Sequence, residues 1–306
     1  MNFFKQISVF LTIFVLLGFY ACSSSDGVSQ EGDVWFIENS HLKITIQPTG
    51  VLNVYDKKGN REWRQVASKD KKIENVHEVS TTDKWAIAFE TEVNNYPFLV
   101  KLSLPKASAD LEIEADMENH DTPIEDIPFF DPFLLDSEHC SIAVADFCNG
   151  HLYPADLHPF PYKRYTTALL DMPWIGVCDA KEGHGYEIIL DTSDDAFFDM
   201  IPVKVGMREI VLPKAGWISS KKRFGYARRL LCHFVSDGGY VALAKYYRTY
   251  AQNRGLIVPF SEKVKKNPNL TRLFGAVDVW GQQSVEFAKE AKKAGVEKMI
   301  MNGNST

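Results

Sequence analysis

The chain has 306 residues and a formal net charge of −6 with both signs interspersed, so it carries no basic stripe for nucleic acid. Beyond residue 22 its cysteines are Cys140, Cys148, Cys178 and Cys232. These are too few and too scattered for a disulfide framework, although one or two bridges would fit, and no CxxC or Cys/His spacing suggests zinc. Roughly 280 residues beyond a leader suffice for one large domain or one and a half.

Residues 1–22, MNFFKQISVFLTIFVLLGFYAC, read as a leader. Lys5 precedes an apolar run from Ile7 to Ala21, shorter than the roughly 18 residues a membrane span needs, so a removable signal is expected. Ala21-Cys22 followed by SSSDG resembles a bacterial lipoprotein signal. That resemblance makes Cys22 the lipidation site and places the protein in the bacterial cell envelope. It would be lipid-anchored at the outer membrane, periplasmic or surface-exposed. Phe19 and Tyr20 stand where a leucine and a small residue are usual. Ordinary secretion, or an uncleaved anchor, is the alternative. Residues 23–32 read as an exposed polar linker.

From Asp33 to about Ser236 the hydrophobic period is two. Leu42, Ile44 and Ile46 alternate in HLKITIQ, and Trp85, Ile87 and Phe89 in KWAIAFE. Phe98, Val100, Leu102 and Leu104 do so in FLVKLSL, and Leu111, Ile113, Ala115 and Met117 in DLEIEADM. Strict alternation puts one face on a core and one in water, the mark of antiparallel sheets. QPTG at 47–50, DKKGN at 56–60 and NNYP at 94–97 supply turn chemistry between strands. The pattern predicts a large β-sandwich over 33–236.

Near residue 237 the period becomes helical. Val241, Leu243, Ala244, Tyr247, Tyr250 and Ala251 share one helix face, and Gly255 follows as a stop. Tyr246, Tyr247 and Tyr250 read as packing residues rather than a sugar-stacking strip. PFSEKVKKNP adds a short helix with Ser261 as its candidate cap, so 237–272 forms a helical connector. Then RLFGAVDVW reads as a strand. A helix follows, capped by Ser284, with Phe287, Ala288, Ala291 and Ala294 inward and Gly295 at its end; VEKMIMN is a second strand. Strand, helix and strand with short loops form a right-handed βαβ unit with parallel strands. Two such strands and one helix cannot cover both sheet faces. The expectation is therefore a chain that ends inside a second domain, with 273–306 as the start of an incomplete TIM barrel of about 250 residues.

Four stretches carry a likeness to a known group. They are IENSHLKITIQPTGVLNVYDKKGNREW at 37–63, DMPWIGV at 171–177, LAKYYRTYAQNRGL at 243–256, and LFGAVDVW with AKKAGVEKMIMNG within 273–303. Together they resemble glycoside hydrolases with a galactose-mutarotase-like β-sandwich before a (β/α)8 barrel. The resemblance is to glycoside hydrolase families 101 and 129, the endo- and exo-acting α-N-acetylgalactosaminidases, and to Bacteroides-type lipoprotein relatives. It implies a mainly β fold and an exported glycosidase acting on α-N-acetylgalactosaminyl or related glycans, with carbohydrate and a membrane as partners and no cofactor. Such enzymes need two carboxylates flanking the scissile bond, and related barrels place them on later strands. No catalytic residue is therefore expected in this chain. The alternative from another class is a non-catalytic surface glycan-binding lipoprotein.

Candidate substrate contacts are the residues ending the two barrel strands, because barrel sites assemble at those ends. Asp278, Trp280, Asn302 and Asn304 stand there; the bland alternative makes Asp278 a helix cap and Trp280 a rim cover. Asp171 and Trp174 in DMPWIGV would reach a cleft from a sandwich loop, or else form a turn and a core. HLYPADLHPFPYKRY at 151–165 gathers His151, Asp156 and His158 among aromatics, at a spacing that fits no metal motif; such a proline-rich loop buries its aromatics simply to hold shape, or else faces carbohydrate. His184 and Glu187 are the nearest imitation of a mutarotase acid–base pair. The loops TSDDAFFDM and EDIPFFDPF lack the regular oxygen spacing of a calcium site and read as solvated turns. No metal is expected.

Overall fold

The computed structural model describes residues 26–66, 71–280 and 284–302, so Cys22 and Asn304 lie outside the described residues. It divides into two compact units, one up to Tyr247 and one from Arg248.

In the first unit, β1 (Gly27–Glu31), β2 (Val34–Glu38), β3 (Leu42–Ile46), β4 (Leu52–Asp56) and β5 (Arg61–Arg64) form a five-stranded antiparallel meander. A second meander follows: β6 (Ile73–Glu78), β7 (Lys84–Val93), β8 (Tyr96–Pro105) and β9 (Asp110–Asp116). After β10 (Ile127–Phe130) come β11 (Cys140–Asp146), β12 (Asn149–Pro154), β13 (Arg164–Thr166) and β14 (Leu170–Asp179). Then come β15 (Gly185–Ile189), β16 (Ala196–Val205), β17 (Arg208–Trp217) and β18 (Arg228–Val235). They complete a nine-stranded sheet in the order β12-β11-β14-β15-β18-β9-β8-β7-β6 and a four-stranded sheet in the order β10-β17-β16-β13.

The expected sandwich is present. Buried apolar side chains of all three sheets merge into one core. Trp63 of β5 meets Tyr186 of β15 edge-on at 5.6 Å, and Phe98 of β8 meets Phe129 of β10 at 5.6 Å. The nine-stranded sheet is therefore one layer, and both smaller sheets lie against the same face of it. The alternating residues point as their period requires: Ile87, Phe89, Val100, Leu102, Leu111 and Ile113 are all buried. NNYP makes the β7–β8 turn, with Asn94 and Asn95 at φ 51° and 64°, the left-handed pair a two-residue hairpin demands.

Two expectations need correction. Gly27–Glu31, expected as part of a linker, is a strand zipped to β2 from Gly27↔Glu38 to Glu31↔Val34. Its side chains stay largely outside the core, and backbone pairing rather than burial holds it. Ser261 is not a cap: α2 (Phe260–Lys266) starts after Pro259, whose fixed φ suits the entry without a side-chain bond.

The connector helix α1 (Gly239–Asn253) begins in the first unit and ends in the second. In the second unit β19 (Val277–Trp280), α3 (Val285–Lys293) and β20 (Met299–Asn302) form the expected βαβ segment, with parallel pairing from Val277↔Met299 to Trp280↔Asn302. Ser284 caps α3, its hydroxyl accepting the Phe287 N–H at 3.0 Å. The strand is shorter than RLFGAVDVW suggests. A 3-10 turn over Pro268–Leu273, capped by the Asn267 side chain, takes up its first residues.

Candidate functional site

At the C-terminal ends of β19 and β20 the structure gathers three sequence-predicted residues. Asp278 and Trp280 are two apart and share a strand face, and Asn302 pairs directly with Trp280. The Asp278 carboxylate accepts the Trp280 Nε1–H at 3.2 Å and the Asn302 Nδ2–H at 2.5 Å. Trp280 is 77% exposed, so its indole face is free for a ring to stack on while its N–H is held. Because Ser284 is the helix cap, Asp278 is not. A fixed carboxylate, an amide and an open indole can together grip vicinal hydroxyls and an apolar sugar face.

Asp171 and Trp174 have other roles. Trp174 is buried and stacks on Tyr247 of α1 at 5.7 Å, which makes it a packing residue. Asp171 accepts the Cys148 N–H at 2.5 Å and so holds the β11–β12 hairpin tip. His184 and Glu187 cannot act as a pair. His184 lies 5.9 Å from Trp63, whereas Glu187 is separated by an odd step along β15 and emerges on the opposite sheet face.

On that opposite face Gly176, Glu187, His233 and Asp110 stand in one row across β14, β15, β18 and β9. Helix α1 covers the row. A Cβ on Gly176 would sit 2.7 Å from Leu243, and Tyr246 lies flat on the His233 ring. His233 Nδ1 is 2.6 Å from Asp110, whose carboxyl stays below its ordinary pKa because hydrogen bonds from His233 and Tyr246 outweigh its burial. Glu187, between Gly176 and His233 in the row, is fully buried and neither carboxylate oxygen has a partner. Burial, and then the charge of Asp110, push its pKa well above the usual glutamate value.

Among the described residues, one group has carboxylate and imidazole atoms close enough to hold a metal: Asp179, Glu182 and His184. Its Asp179 is already committed, accepting from Ser137 Oγ and from the amides of Lys181 and Glu182, and the Arg61 guanidinium sits 3.4 Å from Glu182. His151, Asp156 and His158 do not converge: His151 Nε2 lies 3.1 Å from Asp146, and His158 faces the Glu209 carbonyl at 3.4 Å. The acidic loops are more than solvated turns, because their carboxylates are paired with arginine and lysine. Arg164 binds Asp126 at 2.6 Å and Asp199 at 2.6 Å, and Arg228 holds Asp195 at 2.6 Å. Asp131 lies 2.7 Å from Lys214 and 3.4 Å from Lys71.

Sequence reasoning missed the cleft above that last group. It has a volume of about 850 Å³ and is lined by Lys71, Glu90, Thr91, Asn94, Pro128 and Lys214, among others. Burial lowers the Lys71 pKa while Asp131 opposes the shift. No local signal marks the cleft, because its lysines lie about 140 positions apart and meet only through sheet packing.

The sequence matches no protein-family model and no curated protein. Solved structures that share its fold include glycoside hydrolases. The α-N-acetylgalactosaminidase NagBb from Bifidobacterium bifidum, in its GalNAc complex, aligns with a TM-score of 0.72 at 15% identity over 88% of this chain and 51% of that one. Ligand-free NagBb gives 0.70 at 16% identity over the same shares. An α-mannosidase from Enterococcus faecalis gives 0.50 at 11% identity over 73% of this chain and 31% of that one. The chain thus spans about half the length of NagBb. At such identities the fold is what is shared, and function has to be argued from the site.

Proposed function

We propose that this chain is the N-terminal portion of an exported glycoside hydrolase acting on α-N-acetylgalactosaminyl or related glycans. The sandwich is its galactose-mutarotase-like support, and β19-α3-β20 opens a (β/α)8 catalytic barrel. The observation that carries the reading is the fold likeness to NagBb over 88% of this chain. The hydrogen-bonded trio of Asp278, Trp280 and Asn302 supports it, standing at the strand ends where barrel active sites are assembled. In this reading Asp278 and Asn302 hold sugar hydroxyls, Trp280 stacks on the ring, and the catalytic carboxylates come from later strands. The leader delivers the protein to the cell envelope, with Cys22 as its lipid anchor.

The test is to read the gene downstream of Thr306, express the full frame, and assay chromogenic α-N-acetylgalactosaminide, α-galactoside and α-mannoside. The expected result is hydrolysis of the first, with kcat/KM lowered about tenfold or more by Asp278→Ala. Cys22→Ser should move the same protein from the membrane to the soluble envelope fraction. A stop directly after Thr306, with no hydrolysis, would overturn the enzyme reading and leave a glycan-binding surface lipoprotein.

A further inference from the structure

The β11–β12 hairpin is built in an unusual way. Its strands pair through Asp146↔Asn149, so its two central residues are Phe147 and Cys148, at φ 46° and 64°. Left-handed backbone at both positions is normally left to glycine or asparagine, because a Cβ there is strained by about 1 kcal/mol or more. The turn is secured from both sides. Asp171 on neighbouring β14 accepts the Cys148 N–H, and the Asn149 side chain donates to the Phe147 carbonyl at 2.9 Å. The result is a phenylalanine ring fixed at the tip and 55% exposed.

That ring is stacked against Tyr162 at 5.9 Å, with only 26° between the planes. Beside it His151 lies parallel to Tyr153 at 5.2 Å, and Tyr162 meets Tyr165 edge-on at 5.1 Å. One acidic side chain sits behind them. Asp146 is 1% exposed, and its carboxylate lies 3.1 Å from His151 Nε2. Burial, and then the charge of Asp146, raise the Tyr165 pKa. Asp146 Oδ1 has no hydrogen-bond partner among the described residues, so a buried, unpartnered acceptor stands beside the half-exposed His151. Closing the sandwich edge would need apolar contacts alone. It would not need a strained turn that keeps Phe147 in solvent, nor a buried carboxylate aimed at a half-exposed imidazole.

We infer that this edge of the sandwich, with Phe147, Tyr162, Tyr153 and His151 as its contacts, is a binding subsite for a neutral pyranose. The weakly positive C–H face of such a ring packs on the electron-rich faces of Phe147 and Tyr162. Its hydroxyls bond His151 and the tyrosine hydroxyls. Asp146 and Asp171 are positioning residues, one for the imidazole and one for the tip. The site belongs wholly to the first unit and does not use Asp278, Trp280 or Asn302. Its test is therefore independent of the barrel reading.

The experiment is saturation-transfer NMR of the 306-residue chain with galactose, N-acetylgalactosamine and glucose. The expected result is transfer to the ring protons of at least one sugar, weakened about tenfold by Phe147→Ala and by His151→Ala, and retained in Trp280→Ala. Asp171→Ala should weaken it less and return toward the original value in Asp171→Asn, which keeps an acceptor for Cys148. Unchanged far-UV circular dichroism keeps the comparison fair, and His151→Ala serves should Phe147→Ala not fold. No transfer from any of the three sugars overturns the proposal. So does transfer that survives both sandwich variants; if Trp280→Ala alone abolishes it, the strand-end reading stands and this one falls.

Discussion

The sandwich and the βαβ segment are equally regular, but their side chains live in different surroundings. In the sandwich Trp63 and Trp217 are each 1% exposed and ringed by other aromatics. In the second unit Trp280, Val285 and Phe274 are more than half exposed, and neither α2 nor α3 has a buried residue. Yet α3 has its serine cap and its parallel strands keep register. Caps, turns and backbone pairing fix where an element starts and stops, whereas burial depends on what is present to cover it.

The sharpest way to break that comparison is one truncation on each side. Trp63→Ala should cost about 4 kcal/mol in urea unfolding followed by far-UV circular dichroism, because the cavity cannot collapse between two sheets. Phe287→Ala on α3 should leave the same transition within about 1 kcal/mol of its original position. Equal shifts would mean that the second unit holds as much of the cooperative core as the first.

A smaller effect concerns Glu187. Its folded pKa is raised, so the native state keeps a proton that the unfolded chain releases once the pH passes the ordinary glutamate value. Stability is then lost as pH rises toward the folded pKa. Asp110, His233, Tyr246 and Tyr247 around it supply no hydrogen bond to its oxygens. Glu187→Gln should melt with the original protein near pH 4 and roughly 3 °C above it at pH 8. A variant that melts lower at pH 8 would show an ionised, partnered carboxylate.

The smallest effect should come from the cap. Ser284→Ala removes the acceptor for Phe287 N–H and should speed amide hydrogen exchange in the first turn of α3 by about fivefold, roughly 1 kcal/mol of local stability. Protection in β7–β9 should not change. Faster exchange there would tie the two units into one cooperative body.

What could be read from the sequence divides along similar physical lines. Period-two segments such as β3, β8 and β9 were legible because each buries alternate residues. The nine-strand order was not, since β9 pairs with β18 across more than 100 residues and no local pattern encodes that choice. Asp278, Trp280 and Asn302 were legible because strand ends predict proximity. For Asp171 and Trp174 the sequence left a cleft role and a turn-and-core role open; the structure has Trp174 in the core under a helix and Asp171 on a strand, supporting a neighbouring turn. The hairpin tip was hidden for a further reason. Asn149-Gly150 stands beside it, and turn rules would centre a reversal on that pair, two residues past its actual place at Phe147-Cys148.

The thiols offer a practical consequence. Cys140, Cys178 and Cys232 are buried, and burial pushes the first two up to about 12 and about 11, which leaves almost no thiolate at neutral pH. Among the described cysteines only Cys148 is exposed. It follows Phe147 on the tip of the hairpin, so a maleimide fluorophore would attach there without any engineered residue. The molecule carries its own labelling point, placed where a dye would sense whatever settles on the aromatic edge.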